Sequence, residues 1–244
     1  MSVRVTGAVA IRVLSQLRRD PRTLALIVGV PCVLEALLEQ IFHGRSLVFQ
    51  NVGAPLLGLF PFVTMFLVTS ITMLRERTSG TLERLMTLPL GKLDLLAGYG
   101  IAFGALAVLQ AAVVSTLTFG LLGLEVAGPR SVVVALAVAN AVLGTALGLF
   151  VSAFAQTEFQ AVQFMPAVVF PQILLCGLFV PRDAMAGWLR ALSDAFPLTY
   201  AYEALAHTAS NTLDGRFALD VVIVCGCIAL ALALGAATLR RRTP

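Results

Sequence analysis

Charge is what this sequence has least of. Only 12% of its 244 residues are charged, against 59% that are hydrophobic. A soluble domain of this size carries about twice that charge. Residues 46–74, 95–124, 131–157, 159–181 and 221–239 contain no Asp, Glu, Lys or Arg. Each run reaches or exceeds the roughly 18–20 residues that take a helix across a bilayer. A helix with one wet face does not stay uncharged for so long. A sixth run, 23–42, is interrupted only by Glu35 and Glu39. These runs exclude a soluble globular class and predict an all-α integral membrane bundle of six crossings.

Catalytic and metal motifs are missing too. A phosphate-binding loop needs G-x-x-x-x-G-K-[ST], so that backbone amides and a lysine cradle the phosphates. The one lysine, Lys92, follows Gly91 but precedes Leu93, and Met86 stands where the first glycine belongs. This chain is therefore not an ATPase. The patterns H-E-x-x-H and G-x-S-x-G are absent, as is any cysteine–histidine cluster. Cys32, Cys176, Cys225 and Cys227 all lie inside apolar runs. The last two point about 200° apart around a helix, which suits packing rather than a metal. No catalytic residue, metal or bound cofactor is expected on this chain. The net charge of +4 is spread over short loops, so nucleic acid is not an expected partner. Residues 1–22 lack the pattern of a cleavable signal.

Residues 6–20 are amphipathic. Ala10, Val13, Leu14 and Leu17 fall on one helical face, with Arg12, Ser15, Gln16 and Arg19 opposite. That pattern predicts an interfacial helix within residues 1–22, ended by Pro21. Crossings are expected near 23–42, 54–74, 95–124, 131–155, 159–180 and 218–239. The third is longer than one crossing requires. Arg4, Arg12, Arg18, Arg19, Arg22, Arg75, Arg77, Arg84, Lys92 and Arg240, Arg241, Arg242 fall on one side; Arg45, Arg130, Arg182, Arg190 and Arg216 fall on the other. This bias predicts cytoplasmic termini and a cytoplasmic loop 75–94. Segment 181–217 is then external. Its Trp188, Phe196, Tyr200 and Tyr202 suit short helices that re-enter the outer interface between crossings five and six.

A few polar residues interrupt the apolar runs. Gln156, Gln160 and Gln163 share a face at i, i+4, i+7, and Pro166, Pro171 and Gln172 follow. A polar face leading into a broken helix suits a transport route, because freed carbonyls must meet protein or water. The first of these glutamines equally suits the cytoplasmic interface. Glu35 and Glu39 share a face with His43. Carboxylates at membrane depth face a cavity or a partner, and either reading fits Glu35. Glu39 lies nearer the outer boundary. The pairs Gly100/Gly104 and Gly144/Gly148 have G-x-x-x-G spacing, which predicts close helix packing within the bundle.

The loop 75–94 holds a short amphipathic helix. Ser79 or Gly80 can cap it, Glu83 lies in its first turn, and Pro89 stops it. Leu82, Leu85 and Met86 share one face at i, i+3, i+4. An apolar face on a cytoplasmic loop needs a protein or a membrane to cover it.

The run Arg75-Glu76-Arg77-Thr78-Ser79-Gly80-Thr81-Leu82-Glu83-Arg84-Leu85-Met86-Thr87-Leu88-Pro89 resembles the coupling segment of ABC-2 type transporter permeases. That family includes membrane subunits of bacterial drug and antibiotic exporters, such as the daunorubicin exporter. Arg19-Asp20-Pro21-Arg22 and Pro197-Leu198-Thr199-Tyr200-Ala201-Tyr202-Glu203-Ala204-Leu205 are similar to the family as well. Two departures are Ala186, where a proline often stands, and His207, near a frequent arginine. The resemblance implies a permease in a bacterial cell membrane, surrounded by lipid and paired with a second copy or a homologue. It implies ABC ATPase subunits beneath, which bind the ATP and Mg. Glu76, Gly80, Thr81, Leu82, Glu83, Leu85 and Met86 are the implied coupling residues. Glu35, Glu39, Gln160, Gln163 and Gln172 are candidates for the substrate path. The cargo expected is a drug, antibiotic or lipid. A polysaccharide exporter, or a proton-coupled transporter using Glu35 and Glu39, is the alternative.

Overall fold

The structure is a computed structural model that describes residues 3–43, 46–81 and 91–238. Among the described residues the regular structure is entirely helical. Five of the described helices are long and apolar enough to cross a membrane. In chain order the helices are α1 (Val3–Arg18), α2 (Pro21–Ile41), α3 (Ser46–Thr78), α4 (Lys92–Gly120) and α5 (Arg130–Val151). A divided helix follows: α6 (Glu158–Phe164), a π turn (Met165–Val169) and α7 (Phe170–Leu175). After a 3₁₀ turn (Arg182–Ala184) come α8 (Gly187–Ser193), α9 (Pro197–Ala209) and α10 (Gly215–Ala237).

Several boundaries differ from the sequence reading, each for a local reason. The longest helix is α3, which starts well before residue 54. At 1.5 Å per residue it runs about 50 Å, well beyond a ~30 Å hydrocarbon core. By contrast α4 stops at Gly120. Pro21 opens α2 as its first residue, and the Asp20 side chain caps it by accepting from Thr23 N at 3.2 Å. The expected crossing 159–180 is helical only to Leu175, because Gly177 turns the chain at φ +105°. Its π turn follows from Pro166. That residue has no N–H for the Val162 carbonyl, which accepts from Met165 N instead, and Phe170 N reaches back five residues to Met165 O.

Helices α3 and α5 form the centre. They make the most extensive pairing in the bundle, with α2, α4, α9 and the divided helix around α3, and α4, α9 and α10 around α5. The Gly144/Gly148 pair explains the close approach. A methyl at Gly144 would overlap the Phe62 carbonyl, and one at Gly148 would overlap Thr69 Oγ1. Gly100 and Gly104 do not act this way. Among the described residues, a methyl added at Gly104 would meet nothing within 4 Å, and one at Gly100 would meet only the tip of Leu232. The expectation of close packing therefore holds for one pair and fails for the other.

Outer helices are different. Only 17% of the membrane window of α2 or α10 is buried, against 61% for α3 or α5. Leu26, Val33, Leu37, Leu219, Val222 and Leu230 stay exposed. The buried stripe of α2 is Ile27, Pro31 and Glu35. Pro31 leaves the Ile27 carbonyl without its i+4 donor. Gln110 of α4 supplies one, Nε2 to O at 2.7 Å.

Helix α1 packs more deeply than an interfacial helix needs to. Thr6, Val9, Ala10, Val13 and Leu17 are buried, mainly against α4, while Leu14 remains partly exposed. Between α8 and α10, α9 is wedged against α3, α5 and α10 through Leu198, Ala201, Ala204 and Leu205. Ala127 N, in the loop after α4, donates to Ala209 O at 3.0 Å. The far end of α9 therefore lies at the end of α4 opposite Asp94.

Candidate functional site

Two ion pairs gather the chain where α3 ends. Glu76, 8% exposed, accepts from Arg12 Nη2 on both carboxylate oxygens at 3.0 Å. Partial burial is the largest single influence and opposes the Arg12 charge, but the Glu76 hydrogen bond and charge, together with the neighbouring Tyr99, outweigh it and raise the guanidinium pKa. Arg75 points the other way. Its Nε and Nη2 donate to Glu158 at 2.7 and 2.9 Å, tying α3 to the start of α6. That hydrogen bond holds the Glu158 carboxyl below its ordinary pKa. Thr6 Oγ1 reaches Asp94 Oδ1 at 3.5 Å, so α1 touches the start of α4. Val9 lies so close to Gly98 that a methyl there would collide with it. A hollow of about 310 Å³ opens among Val13, Leu17, Asp20, Arg75, Glu76 and Thr81.

Residues after α3 are only partly described. Gly80 has φ +71°, a conformation glycine takes cheaply, and it closes α3. Ser79 Oγ and Thr81 Oγ1 lie 2.9 Å apart. Leu82, Glu83, Leu85 and Met86 lie outside the described residues.

A second feature lies along the same α3. An apolar cavity of about 600 Å³ opens between α2, α3 and the divided helix. Leu34, Leu38, Leu56, Phe60, Met165 and Ile173 are among its walls. None of the five expected path residues lines it. Glu35 is fully buried between the wall residues Leu34 and Leu38, and neither of its carboxylate oxygens has a hydrogen-bond partner among the described residues. Glu39 accepts from Gln40 Nε2 at 2.7 Å and sits 3.4 Å from His43 Nδ1. Gln172 is 3% exposed and donates to Val168 O at 2.9 Å. Gln163 is exposed. Gln160 helps cap α6: its backbone N donates to the N-cap Thr157 Oγ1 at 3.2 Å, while its side chain accepts from Gln156 N, one residue before the cap, at 2.8 Å.

Sequence reasoning missed Arg12 as a partner of Glu76 and Glu158 as a partner of Arg75. Ion pairs so distant in sequence leave no periodic signal. The capping role of Gln160 was available from T-x-x-Q.

Long apolar helices around a tight central pair define a multi-pass membrane protein. The profile of the family described as "ABC-2 type transporter" matches residues 4–209, and the chain belongs to that family. It is 25% identical over 187 residues to the linearmycin resistance permease protein LnrN of Bacillus subtilis, covering 75% of this chain and 47% of that one. The probable multidrug ABC transporter permease YbhR of Escherichia coli is 26% identical over 145 residues, 59% of this chain and 39% of that protein. ABC transporter G family member 20 of Dictyostelium discoideum is 24% identical over 173 residues, 70% of this chain and 24% of that protein. This chain thus spans less than half the length of each of these relatives.

Proposed function

We propose that this chain is the permease subunit of an ATP-driven exporter that moves a hydrophobic or amphipathic compound out of a bacterial cell. The observation that carries the reading is the double role of α3. One end holds the Arg12–Glu76 and Arg75–Glu158 pairs, and the same helix supplies Leu56, Leu59 and Phe60 to the apolar cavity. A push on residues 82–90 is passed along one rigid rod to that cavity. In this reading segment 159–175 is the fifth of six crossings, both termini are cytoplasmic, and α8 and α9 form a re-entrant external segment. ABC ATPase subunits bind ATP and Mg and dock on the face of Leu82, Leu85 and Met86. A second permease, identical or related, completes the path. The bias in basic residues supports the orientation, and an apolar cavity suits a drug-like or lipid cargo better than a polysaccharide. Relatives named for linearmycin resistance and multidrug transport support the same class of cargo. Glu35 and Gln172 adjoin wall residues and are the polar groups most open to recruitment when the bundle opens.

A proton-driven transporter is the second reading. The buried, unpartnered Glu35 favours it. Reconstitution into vesicles with the partner ATPase separates the two. Export-type dye movement that needs ATP and ignores a proton gradient is expected. Movement driven by a proton gradient without the ATPase would overturn the first reading.

A further inference from the structure

The end of the bundle away from the Arg12–Glu76 pair carries a cavity of a different kind. It measures about 550 Å³ and opens where the chain after Gly177 meets α9 and α10. Most of its charges are already matched. Arg182 donates to Glu203 Oε1 at 2.5 Å, to Ser193 Oγ at 3.0 Å and to Asp194. Arg190 pairs with Asp183 at 3.1 Å.

Two charges on the cavity wall, both on α10, have no hydrogen-bonded ion pair among the described residues. Asp220 is 4% exposed, and its Oδ2 has no hydrogen-bond partner among the described residues. His207 Nε2 stands 4.0 Å from it, beyond hydrogen-bond reach. Arg216 lies one turn earlier, about 6 Å along the helix. It is exposed at the rim, and its guanidinium has no ion pair among the described residues. The cavity therefore has a buried acceptor inside and an open cation at its mouth. A buried carboxylate without a donor is costly, and an ammonium group would bring three donors. Tyr200 and Tyr202 also line the wall, and aromatic rings attract cations. Leu219, 57% exposed, also borders the cavity and gives an apolar tail a way out toward lipid.

We propose that this cavity binds the zwitterionic headgroup of an amphiphile, with its ammonium on Asp220 and its anionic group on Arg216. The site does not depend on how transport is driven, so it can fail or stand separately from the exporter reading. The probe is lysophosphatidylethanolamine, titrated calorimetrically into the purified full chain in neutral detergent. Lysophosphatidic acid lacks the ammonium and dodecylamine lacks the phosphate. The zwitterion should bind saturably, about tenfold tighter than either control, and Asp220→Asn and Arg216→Gln should each weaken it about tenfold. Arg216 is exposed, so Arg216→Gln tests the site even if Asp220→Asn fails to fold. Equal binding by wild type and Arg216→Gln, or equal binding of lysophosphatidic acid and the zwitterion, would overturn the site. Vesicles holding the ATPase complex then identify the source. ATP-dependent movement of a labelled probe marks cargo, and ATP-independent retention marks a resident lipid; both require the site.

Discussion

Both ends of the bundle are held by ion pairs, but they are built on different plans. At the α1–α3 junction the partners are far apart in sequence, Arg12 with Glu76 and Arg75 with Glu158. Each pair fastens one long helix to another element, and Glu76 is nearly buried. At the α9–α10 end the pairs are local. Arg182 finds Asp194 and Glu203, and Arg190 finds Asp183, all within one stretch of short helices around an open cavity. Long-range pairs tie the end of α3 to α1 and α6, as the proposed passage of motion along α3 requires. Local pairs shape a pocket without fixing the long helices to each other.

The largest effect should come from breaking the centre that connects the two ends. Gly148→Leu would force a side chain into Thr69 and the Phe66 carbonyl. Overpacking of this kind costs about 1–3 kcal/mol or more, and here it separates two backbones. Loss of the folded protein is expected, read as membrane abundance and monodispersity in detergent, whereas Gly104→Leu should keep both.

Next comes the α1–α3 junction itself. Glu76→Ala leaves the Arg12 guanidinium partly buried without its carboxylate. A cost of about 2 kcal/mol is expected, below that of a fully buried pair because Arg12 keeps some solvent. Transport should fall further than stability does. The exchange Arg12→Glu with Glu76→Arg should recover part of both, measured by thermal unfolding and by efflux. No recovery would mean that Glu76 acts through something other than this pair.

Gln110→Leu should be milder. It strips the Ile27 carbonyl of the donor that Pro31 cannot give, at about 1–2 kcal/mol. Pro31→Ala in the same background should restore stability by returning the helical N–H. The smallest effect belongs to the exposed Arg75–Glu158 pair, worth less than about 1 kcal/mol. Arg75 lowers the Glu158 carboxyl from its usual 4.5. Its contribution is present above that value and disappears as pH falls through the lowered folded-state pKa. Thermal unfolding of wild type and Arg75→Ala should therefore differ at pH 7 and converge in strong acid.

Much of this architecture is legible in the sequence because the bilayer acts on composition. Charge-free runs mark α3, α4, α5 and α10, and Pro166 marks the break in the divided helix. The kind of break is not legible, since a π turn depends on which N–H adopts the Val162 carbonyl. Gly144 and Gly148 announce the central contact, yet identical spacing at Gly100 and Gly104 leads to none. Spacing puts two glycines on one face but does not say what that face meets. The site is less legible than the fold. Glu76 stands out with its loop, but its partner lies 64 positions earlier. Gln160 reads as part of a polar route, while its geometry makes it a helix cap.

The central claim is that the α1–α3 junction receives a push from an ATPase through residues 82–90. Leu85→Asp tests it most directly. The substitution puts a carboxylate on the proposed docking face and leaves the long helices intact. Three quantities are measured together: permease abundance in the membrane, ATPase co-purified with it, and substrate efflux. Normal abundance with ATPase or efflux lost is the expected result. Normal values for all three would contradict the account, because the face would then touch only lipid or solvent.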